Sequence, residues 1–89
     1  MGVEFYKGFS IPVFESTIAH SGKFYGLASG KSSESYYLFD VNQTPMKCIM
    51  HFQVVKGTIL KLGIGSNNEL GVHCFSKDGN DEGFMALPL

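Results

Sequence analysis

Along residues 46–54 the chain alternates. Met46, Cys48, Met50, Phe52 and Val54 fall on even positions, and Lys47, Ile49, His51 and Gln53 on odd ones. A period of two puts successive side chains on opposite faces of a strand. The same beat recurs through the chain, and helical spacing is nearly absent. It predicts strands near residues 3–14, 23–29, 35–41, 46–54, 58–64, 70–76 and 84–89. Gly, Ser, Asn, Asp and Pro punctuate the gaps. The piece 15–21 (ESTIAHS) fits one helical turn, too short to stand alone.

Loop chemistry suggests registers. A three-residue loop at 55–57 pairs Val54 with Thr58 and Phe52 with Leu60, and puts Gly57 where a bulged turn needs a left-handed residue. Loop 65–69 pairs Ile64 with Leu70, Leu62 with Val72 and Leu60 with Cys74. Loop 42–45 pairs Val41 with Met46, Phe39 with Cys48 and Tyr37 with Met50, and sets Asp40 opposite Lys47 as an outward ion pair. A turn around 31–33 pairs Leu27 with Tyr37 and Tyr25 with Phe39. Five strands then form a meander with one apolar face, which needs a cover. Val3, Phe5, Phe9, Ile11 and Val13, with the C-terminal 84–89, would supply it. The expected fold class is all-β: a small antiparallel meander of about seven strands, closed into a barrel or curved sandwich, with residues 1–89 as one domain.

Charged residues make up 17% of the chain, against about 25% in an ordinary domain. That shortage favours a protein partner or self-association. Net charge is −1, and the seven basic residues are all Lys without a cluster. Arg, the residue shaped for bidentate phosphate and guanine contacts, is missing, which argues against nucleic acid. No basic stretch followed by an apolar run marks a leader, and no run reaches the ~20 apolar residues of a membrane span. The expected compartment is the cytoplasm.

Ligand-type residues invite a metal reading, which the strand geometry disfavours. Cys48 and His51, or the adjacent His73 and Cys74, point to opposite faces of a strand and do not converge on one tetrahedral ion. In the expected register the two thiols lie roughly 16 Å apart, well beyond the ~7 Å limit between Cα atoms for a disulfide. Asp78, Asn80 and Glu82 start like a calcium loop, but Leu89 stands where a bidentate Glu belongs. Gly26 to Ser32 looks like a phosphate loop one residue short, but a strand follows it where a helix is required. No nucleophile–base arrangement is identifiable. The expectation is a non-enzymatic chain with no metal or cofactor.

The registers place Tyr36, Leu38, Ile49, Ile59 and Phe75 on the outward face, as candidate contacts for a protein partner or a second copy. His51, Lys61 and His73 form a row among them, an alternative site for an anion or small ligand. The sequence therefore predicts a small interaction module. It would act as a homodimer or as an accessory or inhibitor protein of the phage or mobile-element type, the latter on size alone. A ligand-binding β-barrel is the alternative.

Overall fold

Ser21 and Gly22 both adopt positive φ, 52° and 78°, the geometry of a two-residue hairpin turn matched to strand twist. They join strand β1 (Ser16–His20) to β2 (Lys23–Ser29), with His20 opposite Lys23. The expected helical turn at 15–21 is thus a strand. The Ser-Gly dipeptide was the available signal. The structure is a computed structural model that describes residues 13–30 and 34–89. The expected strand at 3–14 lies outside these up to residue 12, and residues 13 and 14 are not strand.

The remaining strands are β3 (Ser35–Asp40), β4 (Lys47–Gln53), β5 (Ile59–Ile64), β6 (Leu70–Phe75) and β7 (Asp81–Ala86). The expected C-terminal strand begins three residues earlier than the sequence suggested, directly after the polar turn at 76–80. In that turn Ser76 Oγ accepts the N–H groups of Asp78 (3.3 Å) and Asn80 (3.2 Å). All pairings are antiparallel: β1-β2-β3-β4 form one sheet and β5-β6-β7 the other. The fold is an all-β curved sandwich, and among the described residues the barrel is not closed.

Three registers differ from expectation. β2 meets β3 one residue out of the expected phase, with Leu27 opposite Leu38 and Tyr25 opposite Asp40. Tyr36 and Leu38 therefore join Tyr25 and Leu27 in the core between the sheets, while Tyr37 and Phe39 join Ala28 on the other face. Four consecutive apolar residues, 36–39, carry no phase information, because a strand buried on both faces does not alternate. Second, a bulge between Leu38 and Phe39 leaves Phe39 opposite Cys48 but sets Leu38, not Tyr37, opposite Met50. The extra residue, Ile49, turns to the inner core beside Met50, and Cys48 goes to the outer cluster.

Third, β4 and β5 do not pair. The expected turn is present, with Thr58 N–H donating to Val55 C=O at 2.9 Å and Gly57 at φ 93°, but it carries the chain from one sheet to the other. Phe52 and Leu60 still share the inner core. They meet across layers instead of side by side, and an apolar pattern alone does not distinguish these arrangements. The β5–β6 register, from Ile64–Leu70 to Leu60–Cys74, is as expected.

Asp40 does stand opposite Lys47, yet among the described residues no ion pair joins them. Its carboxylate accepts the backbone N–H of Asn42 (2.9 Å), Asn42 Nδ2 (2.7 Å) and Gln43 Nε2 (3.1 Å). The sheets are tied along one side. Ser16 Oγ accepts the Leu62 N–H at 3.0 Å, and His20 Nε2 lies 2.7 Å from the Asn68 carbonyl oxygen. Leu62 lies within β5 and Asn68 in the turn that follows it, so β1 runs toward the C-terminal end of β5 and the two strands share a direction. Among the described residues no helix is long and apolar enough to cross a membrane.

On the outer face of the smaller sheet, glycines form a seat for the Phe84 ring. A Cβ on Gly65 would lie 2.9 Å from that ring, and one on Gly63 3.6 Å. One on Gly71 would overlap both the ring and the Met85 carbonyl oxygen. Part of β7 thus covers the glycine positions of β5 and β6.

Candidate functional site: an open seam between two strand edges

β1 lies against β5, so the opposite edges, β4 and β7, bound the side where the sandwich stays open. Between them is a cleft of about 400 Å³. Phe52, Val54, Leu60, Val72, Cys74 and Met85 make its apolar wall, and His51 and Gln53 stand with them on the β4 side. Met85 is the clearest sign of incomplete closure. Its cross-strand partner Val72 is 1% exposed, yet Met85, on the same core-facing side, is 52% exposed.

Among the described residues, both edges carry backbone groups that no other strand uses. Val54 N–H donates to Glu34 C=O at 2.9 Å. Strand alternation then turns the N–H and C=O of His51 and Gln53 away from β3. Leu87 N–H donates to Leu70 C=O at 2.8 Å, which likewise turns those of Phe84 and Ala86 away from β6. Among the described residues no strand pairs with either edge. The charges differ. β7 opens with Asp81 and Glu82 and has no basic residue, while β4 begins with Lys47 and is followed by Lys56.

The residues singled out in the sequence scatter. Tyr36 (5% exposed) and Leu38 (0%) are core residues, not outward contacts. The Tyr36 hydroxyl donates to Thr58 C=O at 3.2 Å, and burial pushes its phenol pKa up. Ile49 packs against the inner core. Only Ile59 and Phe75 meet, as cross-strand partners on the outer face of the smaller sheet. The phase shift at β2–β3, the bulge and the layer crossing each removed part of the expected five-residue face.

The His51–Lys61–His73 row is divided in the same way. His51 lies on the larger sheet, stacked on Tyr37 with ring centroids 4.7 Å apart. Lys61 and His73 are partners on β5 and β6. There Lys61 Nζ lies 5.7 Å from the Phe75 ring centre, and His73 Nε2 3.9 Å from Asp81. Cys48 and Cys74 are free and half-buried, against different clusters. Burial raises the Cys48 thiol pKa. Among the described residues no three His, Cys, Asp or Glu side chains are grouped to hold a metal ion.

The seam was not legible in the sequence, because it depends on which strands fail to pair. The available hint was Asp-Glu-Gly at 81–83, a short charged edge of the kind that discourages pairing. No protein family, curated protein or solved structure matches this chain.

Proposed function

We propose that this chain is a non-enzymatic module that works through protein contacts, made by adding an extended strand at the open seam. The observation that carries this reading is the half-exposed Met85 in an apolar cleft flanked by two strand edges. Strand addition obtains affinity from main-chain hydrogen bonds and specificity from pockets that take alternate side chains. The seam offers both. The free thiols of Cys48 and Cys74 support a reducing, cytoplasmic setting.

The test is titration of isotope-labelled protein with short, extended apolar peptides, followed by amide shifts. Shifts should gather at 51–54 and 84–86, and Met85→Lys should abolish them. Shifts elsewhere, or shifts that survive Met85→Lys, overturn the reading.

A further inference from the structure

We infer that the strand entering the seam comes from a second copy of this chain: β4 of each copy pairs with β7 of the other about one two-fold axis. The inference rests on the strand-addition reading and names its occupant.

The directions allow it. β1 and β5 run the same way, and each sheet is antiparallel throughout, so β4 and β7 run in opposite senses. A two-fold axis along the strands places each copy's β4 beside the other's β7, antiparallel, and satisfies both edges of both copies at once. The faces agree as well. On β4 the outward-pointing backbone belongs to His51 and Gln53, while Phe52 and Val54 face the cleft. On β7 it belongs to Phe84 and Ala86, while Met85 faces the cleft.

Pairing Phe84 with the second copy's Gln53, and Ala86 with its His51, sets Met85 against its Phe52. Phe52 and Met85 then meet in the cleft, with Val54 beside them opposite Gly83. In this register the acidic start of β7, Asp81 and Glu82, approaches the second copy's Lys56. That charge complementarity selects the register and favours this chain's own edge as partner. Two like β7 edges would bring together strands that carry only negative charge.

Cross-linking tests the pairing. With Cys48→Ser and Cys74→Ser as background, one chain carries His51→Cys and another Ala86→Cys. Cross-strand pairs of this type have Cα atoms roughly 5.5 Å apart, within the usual disulfide range. Mild oxidation of the mixture should give a covalent dimer about tenfold faster than either chain alone. Sedimentation of the wild-type chain should show a concentration-dependent two-chain species. Met85→Lys should weaken it about tenfold or more.

Equal cross-linking in the single-variant samples overturns the inference. So does an intramolecular link in the His51→Cys, Ala86→Cys double variant, which would mean closure within one chain. A chain that stays single but binds extended peptides at the seam overturns the second copy and leaves strand addition standing. One that stays single and binds no peptide overturns both.

Discussion

Replacing Gly71 with alanine adds one methyl group where the smaller sheet has no room for it. Two groups from β7 stand in the way, the Phe84 ring and the Met85 carbonyl oxygen. A ring can swing, but a backbone carbonyl moves only with its strand. Relief therefore requires β7 to lift from β6, and overpacking of this kind costs about 1–3 kcal/mol. Gly63→Ala is the internal control. Its methyl would sit 3.6 Å from Phe84 and 3.7 Å from His73, ordinary contact distances. Neither glycine has a positive φ, so backbone strain does not enter. Removing the freedom of glycine in the unfolded chain should stabilise Gly63→Ala by about 0.4–1 kcal/mol.

The two variants, each one methyl different from the parent, should thus differ by roughly 1.5–4 kcal/mol in opposite directions. Urea unfolding measures this as a shift in midpoint at constant slope. In a chain this size, each kcal/mol also moves the thermal midpoint by about 4–8 °C. Gly71→Ala should cost less in a Phe84→Ala background than in the wild type, since the ring obstruction is gone while the carbonyl remains. If Gly71→Ala is as stable as Gly63→Ala, β7 does not lie against β6 as described, and the seam beside it loses its boundary.

Leu38→Ala should cost about 2–5 kcal/mol and Tyr36→Phe about 0.5–1.5 kcal/mol for its bond to Thr58, whereas Ile59→Ala should stay within about 0.5 kcal/mol; urea midpoints will separate buried from exposed positions. The Asn42 N–H, with the amides of Gln43 and Asn42, holds the Asp40 carboxyl below its ordinary value of 3.8. A depressed folded pKa contributes stability above the unfolded value that is lost as pH falls through the folded one. The acid limb of a stability–pH curve below about pH 4 should therefore flatten in Asp40→Asn. Gly57→Ala should destabilise by more than about 1 kcal/mol, because φ is 93° and the added Cβ would meet Lys77 Cβ at 2.8 Å; a calorimetric midpoint equal to wild type would refute this.

Local pattern was legible where it had one solution. The β5–β6 register followed from alternation and a five-residue loop, and Gly57 from the turn it had to make. The pattern failed where two arrangements bury the same side chains. The run Tyr36-Tyr37-Leu38-Phe39 buries either alternate pair equally well, so its phase was set by β2 and the bulge. Phe52 and Leu60 reach one core side by side or across layers, and only the placement of β1 beside β5 decides between them. The expected contact face depended on both choices, so it was lost with them. The seam is a property of edges left over after pairing, and its one local trace is the charged Asp-Glu-Gly start of β7.

The attachment of β1 to β5 also bears on how the molecule comes apart. Ser16 supplies a side chain to β5 and His20 one to the turn after it, with no backbone ladder among the described residues. Each sheet, by contrast, is woven from one unbroken stretch of chain, residues 16–53 or 59–86. Neighbouring strands in sequence close short loops at low entropic expense, so each layer can assemble separately before the two dock. Partial opening should then run along the docking plane, leaving both layers intact. Amides within the central strands should resist exchange with solvent long after those of Leu62 and its surroundings have given way.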